Sequence, residues 1–460
     1  MTMAIEQTIT DATLPQMALI LDEMTMASQF NRALFDTPGA AVQSCKIEWI
    51  KYKPAKNCTV AYRLAIAGGA EQLLYGRIYA DGGAAKRFAE AQAAPATRPE
   101  HGEPMVYLAA LGMLCWLFPN DRKLAGLAKL ADRQWLKNHG LPEVVNAVLG
   151  SDWRLDDFTS AIVHFVPEHN CTLSVDLEAV HGRSGARARQ RIYGKTYYNR
   201  AGAESYRQMC ALWRRSLSAS NSLGLAQPIA YQVEEKILWQ AHVAGATLLD
   251  QSIGSDKFFA ALAPAAAALA GLHGTALDCA ESVTLEAQLA KLRQMDGFLS
   301  TALPAEGARI DQLVSGLLRR AEVLPRRPDV TLHGDLHLGN IISANGKAAL
   351  IDLDGLCRGP ALYDLGSFIA ALIYHGIVNR IADAQLSAIT AAFCAHYRSQ
   401  IRWRFTDAEL NWYVAAALIG ERLYRCVTRL KFTRGDIFTE LLAQAERLTP
   451  PHSNLLAANS

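Results

Sequence analysis

One pattern occurs twice in this chain, and an internal duplication restricts the fold more than any other feature of its 460 residues. The segment KYKPAKNCTVAYRLAI, residues 51–66, recurs as HFVPEHNCTLSVDLEAV, residues 164–180. Pro54 corresponds to Pro167, Asn57 to Asn170, Cys58 to Cys171 and Thr59 to Thr172. Downstream, LLYGRIYADGGAAKRF parallels RIYGKTYYNRAGAESY, which aligns Tyr75-Gly76-Arg77 with Tyr193-Gly194-Lys195. A repeat of this length predicts a duplicated supersecondary unit. Each copy reads as a hairpin of β-strands, another strand, then a helix.

A second stretch, DVTLHGDLHLGNIISANGKAALIDLDGLCRGPALYDLGSFIAALI from Asp329 to Ile373, carries the chemistry. Val330-Thr331-Leu332 and Ala348-Ala349-Leu350-Ile351 read as short buried strands, and Asn345-Gly346 between them is a hairpin-turn signal. His333, Gly334 and Asp335 follow the first strand, Asn340 comes five residues later, and Asp352 and Asp354 follow the second strand. An aspartate after a buried strand often makes only an Asx-turn. Here the expected ribbon brings Asp335, Asn340 and Asp352 to one edge. Two carboxylates and an amide arranged this way suit magnesium-assisted phosphoryl transfer, one acid orienting an acceptor hydroxyl while the other and the amide hold the metal against nucleotide phosphates.

HGDLHLGN, IDLDG and YDLGSF together resemble the aminoglycoside-phosphotransferase and choline-kinase-like branch of the protein-kinase-like fold. The resemblance runs from about Arg154 to Ile373. It implies Asp335 as the catalytic aspartate, Asn340 and Asp352 as metal ligands, and Asp364 as a structural aspartate starting the next helix, at an N-cap position. It also implies an α+β, bilobal fold. The second copy of the repeat is then the small β-rich lobe, and the loop Pro167-Glu168-His169-Asn170-Cys171 sits where the nucleotide phosphates are covered. That loop contains no glycine. Lys195 would neutralise phosphates, with Glu204 as the carboxylate that positions it. The alternatives are a solvated strand lysine and an acid favoured by a helix start. By position, the resemblance implies that Ile237–Gly245, with Gln240 and His242, is the hinge that bonds adenine, the alternative for His242 being a polar loop residue.

The first copy has Arg77 where the second has Lys195, and no second HGD motif follows it. Arginine does not shift its protonation state and forks differently. The first copy is therefore expected to be a degenerate extra lobe that caps the second, shapes the cleft or dimerises. The domains expected are 1–149 with this degenerate repeat, 150–243 as the nucleotide-binding lobe, and 244–460 as a mostly helical lobe with the catalytic and metal site. His333, His337 and His273 are expected to order or pack rather than catalyse. A helix over Met17–Phe35 ended by Thr37-Pro38-Gly39, a helical stretch over Leu124–Leu149 broken at Leu141-Pro142, and a buried helix over Phe258–Leu272 complete the outline.

Half of the residues are apolar, a fifth are charged, and the formal net charge is +2. Nothing in that balance points to nucleic acid or a membrane. Nine cysteines lack CxxC spacing, which suits reduced thiols in the cytoplasm. The N-terminal MTMAIEQTITDATLP has no basic start before an apolar run, unlike a secretory leader. HExxH, GxSxG and strand-following GxGxxG patterns are absent from the sequence. Toward the C-terminus, Arg398, Arg402, Arg404, Arg422, Arg425, Arg429, Lys431 and Arg434 outnumber nearby acids, and Arg422, Arg425 and Arg429 have the spacing of one helix face. This leans away from a polycationic aminoglycoside and toward a neutral or anionic hydroxyl compound, the equal alternative being a solvated basic face.

The sequence therefore predicts a small-molecule kinase using ATP and Mg2+, with a small hydroxyl substrate as partner and neither nucleic acid nor membrane. Its rivals are a protein kinase, disfavoured by Gly-Asp rather than Arg-Asp in the catalytic loop and by the lack of an APE-like segment, and a non-catalytic nucleotide-binding or scaffold protein of kinase shape.

Overall fold

The computed structural model describes residues 11–35, 41–92, 95–218, 223–430 and 435–449. The fold is α+β, and the chain forms two compact units. Among the described residues, the first takes 11–203, 229–242 and 428–430, and the second takes 204–218, 223–228, 243–427 and 435–449.

In chain order the first strands are β1 (Val42–Lys53), β2 (Asn57–Ile66), β3 (Glu71–Tyr79), β4 (Met105–Leu108), β5 (Met113–Leu117), β6 (Trp153–Val166), β7 (Asn170–His181), β8 (Arg187–Tyr197), β9 (Gly224–Leu225), β10 (Pro228–Gln232) and β11 (Ile237–Ala241). All but β9 build two five-stranded sheets in the first unit. One has the order β1-β2-β3-β5-β4, the other β6-β7-β8-β11-β10. These are the same path traced twice. The register repeats as well: Arg77 lies opposite Thr59 as Lys195 lies opposite Thr172, and Asn57 faces Tyr79 as Asn170 faces Tyr197.

Even the hairpin turns agree. The Lys56 N–H bonds the Lys53 carbonyl and the His169 N–H bonds the Val166 carbonyl, each at 3.1 Å. Ala55 and Glu168, at the equivalent middle positions, both take positive φ, 54° and 61°. A non-glycine residue in this left-handed region is sterically disfavoured, so the shared geometry is a property of the turn and not of one side chain.

Each sheet also carries a preceding helix on one face. Met26 and Phe30 of Glu23–Leu34 pack with Val60, Tyr62 and Leu74 of the first sheet. Leu141, Val144 and Val145 of Leu141–Leu149 pack with Val175, Ile192 and Trp239 of the second. The repeating unit therefore includes the helix before the hairpin, which the motif comparison did not reveal. Gly194 leaves room for Trp239, whose ring lies 2.7 Å from where a Cβ would stand.

Two expected boundaries change. Met17–Phe35 divides into Met17–Ile20 and Glu23–Leu34, because Asp22 accepts the Thr25 N–H at 2.7 Å and caps the second helix. The expected stop at Thr37-Pro38-Gly39 lies outside the described residues. Pro142 does not break its helix. It sits in the first turn of Leu141–Leu149, where a missing N–H is harmless, and the wider turn Leu136–Gly140 runs directly into it.

The second unit is mostly helical. The buried apolar helix expected from Phe258 to Leu272 is Asp256–His273, capped by Ser255 and continuous through Pro264. Leu362–Val378 is buried along most of its length, through Leu365, Phe368, Ile369 and Leu372. Gly366 lets it approach Asp407–Ala417 closely, since a Cβ there would come 2.8 Å from the Tyr413 carbonyl. Phe368 stacks on Phe393 with centroids 4.2 Å apart. The short strands β12 (Ala246–Thr247), β13 (Asp329–Leu332), β14 (Ile341–Ala344), β15 (Lys347–Leu350) and β16 (Cys357–Pro360) form two small sheets, β12-β14-β15-β9 and β13-β16.

None of the nine cysteines forms a disulfide, and burial pushes Cys45 and Cys171 up to about 12. Among the described residues, no helix is long and apolar enough to cross a membrane.

Candidate active site

The site grows from the end of β13. Its pairing with β16 stops at Leu332, and the chain turns through His333, Gly334 and Asp335. Gly334 takes φ +82°, and a Cβ there would collide with the Gly355 carbonyl, so only glycine fits. The buried Asp364 carboxylate holds the turn, accepting the His333 N–H at 2.7 Å and the Gly334 N–H at 3.0 Å. His273 Nε2 lies 3.1 Å from the same carboxylate, and its Nδ1 is 2.7 Å from the Tyr397 hydroxyl. Asp364 thus departs from its expected N-cap role. The cap of Leu362–Val378 is Ala361, and Asp364 lies within the first turn, its carboxylate bonding the His333 and Gly334 backbone.

The same loop bends back through Leu338–Asn340. The Asn340 side-chain NH2 donates to the Asp335 carbonyl at 3.0 Å, while the Asn340 carbonyl accepts the Ile351 N–H at 3.0 Å. The expected hairpin of β14 and β15 is present, with Asn345 and Gly346 at φ 51° and 73° as a tight two-residue turn requires. The hairpin returns Ile351 beside Asn340, and the Ile351 carbonyl accepts from His333 Nε2 at 2.9 Å. Asp352 follows in left-handed conformation, φ 58° and ψ 55°, and is exposed, as is Asp354. Strained backbone of this kind persists only where its surroundings impose it. Asn340 is thus tied to the Asp335 backbone through its side chain, and through its carbonyl to Ile351, the residue before Asp352.

His337 caps the Leu338–Asn340 turn, its Nδ1 accepting the Gly339 N–H at 3.1 Å. Burial pulls its pKa down to about 4 against the opposing pull of Asp335. Burial thus favours its neutral form.

Basic residues approach from the C-terminal helical segment. Arg425 Nη2 lies 3.2 Å from Asp335 Oδ1. Arg422 is buried, bonded to Glu421 at 3.1 Å, while the other oxygen of Glu421 accepts the Ser367 hydroxyl at 2.7 Å. Burial lowers the Arg422 pKa. Arg429 instead lies over the Trp49 ring at 4.2 Å and donates to the Ile50 carbonyl at 2.6 Å. The three arginines do not line one face. The helix Tyr424–Thr428 carries Arg425 and ends before Arg429, which lies in the following turn. Arg398 pairs with Asp407, and Lys431 and Arg434 lie outside the described residues.

The remaining candidates divide between the units. In the first, Lys195 on β8 is half-buried, with its ammonium 5.6 Å from the Tyr197 ring centroid. Gln240 pairs with Tyr193 across β8 and β11, and His242 follows with Nδ1 3.4 Å from the Tyr193 hydroxyl. The Asn170 amide nitrogen lies 3.0 Å from His169 Nδ1, and its buried amide oxygen has no hydrogen-bond partner among the described residues. In the second unit, Glu204 accepts from Arg207 Nε and Gln208 Nε2, each at 2.8 Å. The Arg207 hydrogen bonds hold its carboxyl below the usual range.

Sequence reasoning missed two features. The Arg425–Asp335 pair spans 90 positions and has no local signature. The Glu168 carboxylate, in the loop expected to cover phosphates, is held by Arg77 at 2.9 Å and Arg122 at 2.7 Å, with Lys123 at 3.8 Å. Burial raises its pKa, but Arg122 and Arg77 outweigh that and leave it lowered. Arg77, the residue that replaces lysine in the first repeat, therefore braces the turn of the second.

Residues 202–404 match the phosphotransferase enzyme family. A glucosamine kinase of Streptacidiphilus jiangxiensis is 28% identical over 145 residues, 28% of this chain and 32% of that kinase. A methylthioribose kinase of Geobacillus thermodenitrificans is 43% identical over 49 residues, 11% of this chain and 12% of that kinase. The chain thus matches about a third or less of the length of these curated relatives. Among solved structures, the aminoglycoside phosphotransferase APH(4)-Ia in ternary complex with ADP and hygromycin B aligns at 14% identity and TM-score 0.44, covering 64% of this chain and 94% of that one. A choline/ethanolamine kinase family protein of Mesorhizobium loti aligns at 16% identity and TM-score 0.41, covering 62% and 88%.

Proposed function

We propose that the chain is a cytoplasmic small-molecule kinase, transferring the γ-phosphoryl group of ATP to a hydroxyl with Mg2+. The convergence of Asp335, Asn340 and Asp352 at one hairpin end carries this reading. The donor set fits a hard cation. The Asn340 NH2 is engaged by the Asp335 carbonyl, which turns its amide oxygen the other way, and Asp352 adds one exposed carboxylate. Among the described residues no group of three or more His, Cys, Asp or Glu side chains could hold a metal. Mg2+ commonly takes one or two protein carboxylates and completes its shell with water and substrate phosphates. When bound, the metal would neutralise phosphate charge.

The chain's own residues do the rest. Asp335 aligns the acceptor hydroxyl and takes its proton as the new O–P bond forms and the bond from the γ-phosphorus to the β–γ bridging oxygen breaks, leaving ADP. Asp364, by fixing two backbone N–H groups before it, keeps Asp335 in place. Lys195 is assigned to nucleotide phosphate, with Glu204 as a supporting acid, Asn170 in the hairpin loop and Gln240 and His242 on the adenine side. Arg425 at Asp335 supports an uncharged or anionic acceptor, because a cationic one would have to displace it.

The test is phosphoryl transfer from γ-labelled ATP to a panel containing methylthioribose, glucosamine, other sugars and an aminoglycoside. Label should pass to a neutral or anionic hydroxyl compound with wild type and not with Asp335→Ala. Equal transfer by both proteins would refute the assignment.

A further inference from the structure

The first repeat carries an open pocket of about 770 Å3, a size that suits a small-molecule ligand. It is lined by Lys56 and Asn57 of the β1–β2 hairpin, Arg77 and Tyr79 of β3, Trp116 of β5, and Arg122. Lys56 and Asn57 correspond to His169 and Asn170 of the second repeat, and Arg77 to Lys195. Trp116 faces Tyr75 as Gln240 faces Tyr193. The cavity therefore occupies, in the first repeat, the position of the proposed nucleotide cleft in the second.

Its chemistry favours an anion. Four cationic side chains line it, Lys56, Arg77, Arg87 and Arg122, against two acids, Asp81 and Glu90. Asp81 is already satisfied by a two-pronged contact from Arg87. The Glu168 carboxylate bridges Arg77 and Arg122, and Arg77 Nε is buried without a hydrogen-bond partner among the described residues. Trp116, stacked on Tyr75 at 4.9 Å, and Tyr79 supply aromatic wall.

We propose that the first repeat binds a nucleotide-sized organic phosphate in this cavity, its phosphate taking Arg77, Arg122 and Lys56 in competition with Glu168. The site is a binding site without chemistry, since the first repeat has no counterpart of the HGD loop. A carboxylate built into the turn of the second repeat is the resident occupant of the two arginines. Binding would release that turn and so report on the hairpin that carries Asn170. The inference does not depend on catalysis by Asp335.

The experiment uses the full chain with Asp352→Ala, titrated with ADP in the absence of magnesium, read by calorimetry and by hydrogen exchange. Binding should protect residues 53–58 and 84–91. Lys56→Glu should weaken it by about tenfold through charge reversal, and Glu168→Gln should strengthen it by freeing the arginines. Absence of ADP binding by the folded chain, indifference to Lys56→Glu, or protection confined to residues 166–197 and 237–242 would each overturn the proposal. Failure of phosphoryl transfer alone would count only against the kinase reading.

Discussion

Arg425 closes on Asp335, its Nη2 3.2 Å from the carboxylate oxygen expected to orient the acceptor. Each side chain remains nearly half exposed, 44% and 45%, so solvent screens the pair and it adds little to stability. Its importance lies in what must happen when substrate arrives: either Arg425 swings onto the acceptor or it is displaced.

Arg425→Ala should therefore leave the unfolding free energy within about 1 kcal/mol of wild type. It should raise KM for an anionic acceptor about tenfold with a smaller change in kcat. Steady-state kinetics against acceptor concentration check this. A selective fall in kcat would assign Arg425 to the transition state instead.

Asp364 is the anchor on which the loop depends. Its carboxylate is fully buried and accepts two backbone N–H bonds besides contacting His273. Asp364→Ala should destabilise by about 3–5 kcal/mol, because buried donors lose their partner. Urea unfolding measures it. A loss below 1 kcal/mol would mean that the loop is held by other contacts.

His337 makes stability depend on pH. Its folded pKa is near 4, below the ordinary value of 6.5, so the unfolded chain binds the proton more readily. The contribution is full above about pH 6.5 and is lost as pH falls toward 4. Between pH 7.5 and 5 the loss should be about 2 kcal/mol. His337→Asn, which keeps a cap acceptor, should remove that part of the slope in urea titrations at the two pH values.

Glu168 stands between Arg77 and Arg122 with only 10% of its side chain exposed, and Arg77 shows 15%. Removing the acid leaves a partly buried guanidinium uncompensated. Glu168→Ala should destabilise by about 3 kcal/mol, and combining it with Arg77→Met should cost less than the sum of the two single changes. Strict additivity in that cycle would show that the pair is not coupled.

Much of this architecture was legible because it is written locally. Asn-Cys-Thr and Tyr-Gly in two places announced two hairpins, and the strand orders and registers of both sheets repeat accordingly. Asn345-Gly346 announced the turn that returns Asp352 toward Asn340. What escaped notice depends on distant partners or on helix geometry. Asp364 looked like a cap because it opens a helix, yet its acceptor oxygens face a loop some thirty positions earlier. Arg422, Arg425 and Arg429 looked like one face because their spacing is helical, but the helix Tyr424–Thr428 ends before Arg429. Glu168 and Arg77 are 91 positions apart, and no local pattern marks either as the other's partner.

The central claim is that Asp352 holds a magnesium–nucleotide complex beside Asp335. Calorimetric titration of ATP into wild type and Asp352→Ala, each with and without Mg2+, tests it most directly. The account predicts that wild type binds ATP tightly only with magnesium and that Asp352→Ala loses this magnesium-dependent increment. Magnesium-dependent binding of equal strength in the folded Asp352→Ala protein would contradict it.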